Sequence, residues 1–324
     1  MNQTGNLDAQ LDEAGRLRHL LRLKGLSKAF ISELLDRATS FQTKVGMPPA
    51  RDTVLKGRTV ANLFFEPSTR TRASFELAAK RLSADVLNLD VNMSSRTKGE
   101  SLLDTIYTLQ AMQVDVFVVR DASAGIPEYI TENVIPQVSV LNAGEADVSH
   151  PTQGLLDLMT IREAKGTLEG LTVTIIGDIA HSRVARSIAE GLSIMGENEL
   201  RLVSPTGLSA DPKLYPGAVL TNDIDGAVEG ADVVMALRIQ RERIKEKSNL
   251  MTSMDYHREF GLTEARLRLA KPDAIVMHPG PMNRDVEIAG QVADGPQSVI
   301  TEQVHNGVAV RMAVLAAVTE SRQK

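Results

Sequence analysis

The segment Asn62–Leu82, NLFFEPSTRTRASFELAAKRL, joins a short apolar run to a helical pattern through a Ser-Thr-Arg-Thr-Arg turn. Leu63, Phe64 and Phe65 read as a strand, Pro67 breaks it, and Phe75, Leu77, Ala78, Ala79 and Leu82 fall on one helical stripe. The turn therefore sits at a helix N-terminus, where unbonded backbone amides and the positive end of the helix dipole attract an anion. Ser68, Thr69 and Thr71 add hydroxyl donors, and the guanidinium forks of Arg70 and Arg72 match phosphate oxygens. A capped helix carrying two solvated arginines has the same pattern, so the segment by itself leaves both readings open.

Other polar residues follow apolar runs in the same way. Arg120 directly follows the run in VFVVRDA, and His150 and Gln153 lie where NAGEADVSHPTQGLLDL opens into a helix. Arg183 enters the first turn of a helix after the run at 171–177, a place where α/β sheets bind ligands, although a surface arginine is the plainer reading. Arg238 and Gln240 lie just past VVMAL, in a stretch that also fits a solvated charge run with Arg241, Glu242, Arg243 and Lys245. In His278-Pro279-Gly280-Pro281 the prolines fix φ and leave carbonyls able to accept hydrogen bonds. The loop Met93–Leu102 reads as a polar connection, or as one whose Lys98-Gly99 tip reaches into a neighbour. Four strand-end cations, Arg70, Arg120, Arg183 and Arg238, together imply substrates with several negative charges. No nucleophile or acid–base dyad stands out, which suits a substrate that is already reactive and carries phosphate.

Composition removes whole classes of function. The 324 residues carry 36 Lys and Arg against 41 Asp and Glu, a net charge of −5, which gives no bulk affinity for nucleic acid or an anionic membrane. There is no cysteine, so thiolate chemistry, iron–sulfur clusters and cysteine zinc sites are excluded, and the six histidines form no HExxH or comparable metal pattern. Gly177 is followed by Asp178, Ile179, Ala180, His181, Ser182 and Arg183, without the glycine fingerprint that lets a backbone approach a dinucleotide pyrophosphate. No metal and no cofactor is expected. The polar, acid-containing N-terminus is unlike a signal peptide and no apolar run approaches a membrane span, so a cytoplasmic protein is expected.

The elements that must position these residues alternate between strand and helix. Strand-like runs occur at Thr59–Phe65, Asp85–Leu89, Val114–Val119 and Val138–Asn142, with helical patterns at Leu102–Met112 and Ile126–Asn133. Ser27 caps an earlier helix, and the folded part is expected to begin near Leu17, leaving residues 1–16 as a polar extension. After a helix at Gly154–Lys165, a second series has strands at Leu171–Gly177, Glu199–Val203, Asp232–Ala236 and Ala274–Met277, each nearly continuous in apolar residues as doubly covered strands are. A helical run at Gly307–Thr319 closes the chain. The length exceeds what one core usually supports, and two doubly wound α/β domains with parallel sheets are expected. Residues 1–150 with 301–324 form one domain and 151–300 the other, with 151–165 as connecting helix.

FFEPSTRTR, KGES, HPTQGLLDL, LRIQRER and HPGP, in this order and spacing, resemble the catalytic chains of aspartate carbamoyltransferases, within the aspartate/ornithine carbamoyltransferase superfamily. The resemblance spans about residues 17 to 320 and implies a carbamoyl phosphate-binding domain and an aspartate-binding domain, with the active site in the cleft between them and at a subunit interface. It implies that Ser68, Thr69, Arg70 and Thr71 hold the phosphate with Arg120, and that Arg120, His150 and Thr71 polarise the carbamoyl oxygen. Gln153 and the carbonyls of Gly280 and Pro281 would orient the carbamoyl nitrogen. Arg183 would bind the α-carboxylate of L-aspartate and Arg238 with Gln240 its β-carboxylate, while Ser94 and Lys98 would enter from the adjacent subunit of a homotrimer. The activity implied is formation of N-carbamoyl-L-aspartate in pyrimidine biosynthesis. The Pro-Gly-Pro turn resembles versions that work alone or assemble with dihydroorotase-like chains, rather than those with separate regulatory chains. Transfer to ornithine or an acylated ornithine, and a non-catalytic anion-binding paralogue, are the alternatives. A cationic acceptor disagrees with Arg238, and retention of Arg70, Arg120, His150 and Lys98 disagrees with loss of catalysis.

Overall fold

Parallel strands have to be joined by crossovers long enough to hold a helix, and the chain meets this requirement twice. The computed structural model describes residues 9–89, 101–239 and 251–320. The chain divides into one unit of residues 1–156 with 305–324 and a second of residues 157–304.

In the first unit, helix α1 (Lys28–Ser40) starts at Ser27, whose hydroxyl accepts from the Phe30 amide at 3.1 Å. The alternation follows as β1 (Thr59–Phe64), α2 (Thr69–Arg81), β2 (Asp85–Leu89), α3 (Leu102–Ala111), β3 (Val116–Asp121), α4 (Ile126–Thr131) and β4 (Ser139–Glu145). The sheet is parallel throughout, in the order β2-β1-β3-β4. Ala61, Leu63, Phe117, Val119 and Val140 from its strands pack with Ile106, Leu109 and Ile130 from the helices. Edge strand β2 keeps Leu87 and Asn88 exposed, whereas β3 and β4 are buried along their whole length. Both buried strands run past their apolar stretches, since Arg120, Asp121, Asn142 and Glu145 are also buried.

Helix α5 (Pro151–Lys165) leads into the second unit. There β5 (Thr172–Ile176), α6 (Arg183–Met195), β6 (Glu199–Val203), a 3-10 turn at Pro212–Leu214, β7 (Val219–Thr221), α7 (Ile224–Val228), β8 (Val233–Ala236), α8 (Ser253–Phe260), α9 (Glu264–Leu267), β9 (Ile275–Met277) and α10 (Gly290–Ala293) lead to α11 (Ile300–Glu320). The sheet is again parallel, in the order β7-β6-β5-β8-β9. Ile176, Val234, Ala236 and Val276 pack against Val228, Tyr256, Leu267 and Val292 from the helices. At the amino ends of the strands, Asp232 accepts from Lys271 at 2.8 Å and from the Thr172 amide at 2.9 Å, and Lys165 pairs with Asp273 at 2.6 Å. Burial raises the Asp232 carboxyl, but these bonds and the Lys165 charge outweigh it and hold the group below its ordinary value.

Two parallel-sheet α/β domains match the expected fold class, with three local differences. The units divide inside α5 and α11 rather than at 150/151 and 300/301, because both helices run across those positions. The short edge strand β7 and helices α7, α8, α9 and α10 have no counterpart among the elements expected from the sequence. Residues 10–16 are not a loose extension: Gln10 is 1% exposed, and its side-chain Oε1 accepts from the amides of Leu21 and Arg22 at 2.7 and 2.8 Å. The following segment then lines edge strand β4, where Leu20 donates to Val140 and accepts from Asn142, and His19 Nδ1 accepts from the Val140 amide. It covers a row of backbone groups that would otherwise form an open sheet edge. No described helix is long and apolar enough to cross a membrane.

Gln10→Ala strips the acceptor from two amides, at a cost of about 1–3 kcal/mol for a buried one. Chemical denaturation of the full chain should show a loss of about 2–4 kcal/mol. Stability unchanged within about 0.5 kcal/mol would mean that residues 10–16 do not belong to the folded body.

Candidate functional site

In each sheet the chain order reverses beside one strand, and ligands of open α/β sheets bind outside the carboxyl ends at that reversal. In the first unit the chain steps from β1 to β2 on one side, and β3 pairs with β1 on the other. In the second it steps from β5 through β6 to β7, and β8 then pairs with the other side of β5.

At the first reversal, β1 leads through Pro67 to Ser68, the N-cap of α2. The Ser68 hydroxyl makes no bond to the helix's own amides, while its carbonyl accepts from Arg72 at 3.2 Å. Thr69, Arg70 and Thr71 thus form the first turn, whose amides precede the helical bonding ladder. Thr71 is buried, and Thr69 and Arg70 are exposed. Arg120 stands on β3 next to this turn, at an irregularity in the β3–β4 register between Val119 and Asp121. Its carbonyl accepts from the Phe65 amide at 2.9 Å, so the backbone of β3 is tied to the end of β1. Arg120 is 9% exposed, and its guanidinium donates to the Ala143 carbonyl at 3.2 Å and to Glu66 Oε1 at 2.7 Å.

His150 follows β4 and takes the capping position of α5, where its carbonyl accepts from the amides of Gln153 and Gly154 at 2.9 and 3.1 Å. Pro151 suits the next position, since it has no amide to leave unbonded. His150 and Gln153 are both buried. Glu145, at the end of β4, is buried as well. Burial raises its carboxyl above the ordinary value, although the Gly125 amide, Arg22 and Asn142 oppose the shift. Seven of the expected residues, Ser68, Thr69, Arg70, Thr71, Arg120, His150 and Gln153, therefore lie in one unit, at or beyond the carboxyl ends of three neighbouring strands.

At the second reversal the loops after β5 and β8 approach closely. Gly177 has φ 142°, and a Cβ there would lie 2.6 Å from the Leu237 carbonyl oxygen and 2.9 Å from Leu237 Cβ. Only glycine fits, in both conformation and space. The same loop continues through Ser182, whose hydroxyl accepts from the Ala185 amide at 3.1 Å and caps α6. Arg183 is the first residue of that helix and is 6% exposed, so the surface-arginine reading does not hold. Arg238, one residue beyond Leu237, is half-buried beside buried Ile239. Gly280 and Pro281 belong to the second unit, in the turn after β9, with Gly280 half-buried and Pro281 exposed. Ser94, Lys98 and Gln240 lie outside the described residues.

Three partners in these sites escaped the sequence reading. Glu66 sits within the quoted FFEPSTRTR, but nothing local couples it to Arg120, 54 residues away. Asp178 is fully buried and accepts from His181 Nδ1 at 2.8 Å, a contact between residues three apart that spacing alone could have suggested. Glu287 pairs with His278 at 3.2 Å, and only the turn's geometry reveals it.

Residues 18–163 match the family described as aspartate/ornithine carbamoyltransferase, carbamoyl-P binding domain, and residues 169–318 match its Asp/Orn binding domain. The chain belongs to the aspartate/ornithine carbamoyltransferase family. Among solved structures it is similar to aspartate transcarbamoylase from Trypanosoma cruzi in complex with aspartate and phosphate, at 32% identity over 93% of this chain and 94% of that one, with a TM-score of 0.81. The same enzyme in complex with carbamoyl phosphate and aspartate gives 31% identity over 93% and 95%, with a TM-score of 0.83. Ornithine carbamoyltransferase from Thermus thermophilus gives 27% identity over 93% and 98%, with a TM-score of 0.81.

Proposed function

We propose that this carbamoyltransferase uses L-aspartate as acceptor and forms N-carbamoyl-L-aspartate and phosphate, a step toward pyrimidines. The observation that carries the reading is the pair of cations at the second reversal: Arg183, buried at the start of α6, and Arg238, just past β8. Two arginines suit an acceptor with two carboxylates. They oppose an acceptor such as ornithine, whose side chain is itself cationic. The similarity to aspartate transcarbamoylases from Trypanosoma cruzi supports the same choice, at identities of 31–32%.

In this reading the turn Ser68–Thr71 and Arg120 hold the phosphate of carbamoyl phosphate. Arg120, His150 and Thr71 polarise its carbonyl, and Gln153 with the Gly280 and Pro281 carbonyls orients its amide. Arg183 takes the α-carboxylate of aspartate, and Arg238 with Gln240 takes the β-carboxylate. The uncharged α-amine attacks the carbamoyl carbon and forms the new C–N bond. The tetrahedral oxyanion then collapses, the C–O bond to phosphate breaks, and the departing phosphate takes the amine proton. Juxtaposing the two reactants supplies part of the ~7–11 kcal/mol that well-oriented groups can contribute. Each donor at the oxyanion adds on the order of 3 kcal/mol. In dry surroundings such donors act more strongly than in water, which suits the burial of Arg120 and His150.

Carbamoyl phosphate consumption with aspartate and ornithine offered in parallel tests the acceptor. Turnover should require aspartate, and Arg183→Ala should raise the KM for aspartate on the order of 100-fold, as for the loss of one buried charged partner. Activity with ornithine alone would overturn the assignment. The reading also draws Ser94 and Lys98 from the adjacent subunit of a homotrimer. Mixing inactive Lys98→Ala and Arg70→Ala chains should then restore part of the activity, because some interfaces of a mixed trimer carry neither lesion. No recovery after demonstrated subunit exchange would contradict a shared site.

A further inference from the structure

The turn after β9 is held by a buried pair that substrate binding does not itself require. The Gly280 amide donates to His278 Nδ1 at 2.8 Å, so Nδ1 carries a lone pair and the ring proton of the neutral imidazole sits on Nε2. Nε2 donates to Glu287 Oε1 at 3.2 Å, and the same oxygen accepts from the Asn283 amide at 2.5 Å. One imidazole and one carboxylate thereby tie together both ends of Gly280-Pro281-Met282-Asn283. The base of the turn is fixed as well: the His278 amide donates to Gln303 Oε1 at 2.8 Å, and Gln303 Nε2 donates to Asp157 Oδ1 at 2.9 Å.

This arrangement is a poor investment in stability alone. His278 is 2% exposed and Glu287 1%, and a carboxylate that deep costs several kcal/mol unless fully bonded. Glu287 Oε2 has no partner among the described residues, and neither has the nearby Tyr256 hydroxyl. Burial first, and the Glu287 and Asp178 carboxylates second, hold that phenol protonated far above its ordinary range. Apolar residues of similar volume would fill this space more cheaply, so the pair is better explained by the geometry it imposes.

The geometry points to His278 and Glu287 as positioning residues that fix the Gly280 and Pro281 carbonyls to accept from the N–H groups of a carbamoyl amide, making the turn a filter for carbamoyl over acyl phosphates. The inference rests on the role given to those carbonyls above. Acetyl phosphate has nearly the same shape and charge but presents a methyl group where carbamoyl phosphate presents N–H donors. A rigid pair of acceptors discriminates against it, because they stay unbonded. A loose pair turns away and discriminates less.

Affinities of the full chain for carbamoyl phosphate, acetyl phosphate and inorganic phosphate, measured alongside kcat, test this. The wild type should prefer carbamoyl over acetyl phosphate. Glu287→Ala and His278→Asn should each lose on the order of tenfold in that preference, as when outer partners of other sites are removed. Binding of inorganic phosphate should stay unchanged in both variants. Glu287→Gln keeps an acceptor for His278 and Asn283 and should retain most of the preference. An undiminished preference in folded Glu287→Ala or His278→Asn would overturn the positioning role and leave the proposed function standing. A wild type that does not discriminate would overturn the role of the Gly280 and Pro281 carbonyls, and the inference with it.

Discussion

A parallel sheet cannot turn back on itself at its strand ends, so each connection must cross over, and wherever crossovers run to both sides of one strand a crevice opens at the carboxyl edge. The chain makes that reversal once in each unit, beside β1 and beside β5. The charged residues depend on it. Ser68 to Thr71 begin the helix that leaves β1, and Arg120 stands on the neighbouring β3. Arg183 begins the helix that leaves β5, and Arg238 follows the neighbouring β8. Helix N-termini and guanidinium groups thus act at the same two places, and both favour anions.

Holding cations there costs desolvation, and the units offset it locally. Arg120 is bonded to Ala143 and Glu66, which keeps its guanidinium oriented and its charge partly balanced by a carboxylate. Close approach in the second unit depends on backbone, since Gly177 lies against Leu237 where any side chain would push the loop apart. Folding energy comes from elsewhere, from the apolar strands such as β3 and β8 that are buried along their whole length. The division of labour lets the loops carry polar and strained features on a rigid support.

Much of this was legible in the sequence because the supporting strands are continuous apolar runs and the candidate site residues stand at or just past their ends. The α2 cap at Ser68 and the α6 entry at Arg183 fall where the pattern put them. Features that depend on tertiary partners were not legible. Strand β7 is three residues long with Val219 exposed, too short and too wet for hydropathy to mark. Residues 10–16 look polar, but Gln10 is buried because its amide group serves the backbone of Leu21 and Arg22. Strands β3 and β4 extend through Arg120 and Glu145 because those polar groups find partners, which no periodicity encodes. The Glu66–Arg120 and His278–Glu287 pairs likewise join residues that only the fold brings together.

Under the proposed function the two reversals bind two different anions, a phosphate in the first unit and a dicarboxylate in the second. A crystal structure of the chain with carbamoyl phosphate and succinate, a dicarboxylate without the reactive amine, tests it most directly. Phosphate density is expected against Ser68, Thr69, Arg70, Thr71 and Arg120, and carboxylate density against Arg183 and Arg238. Saturating ligand bound away from these residues, or succinate bound at the first reversal in place of phosphate, would contradict it.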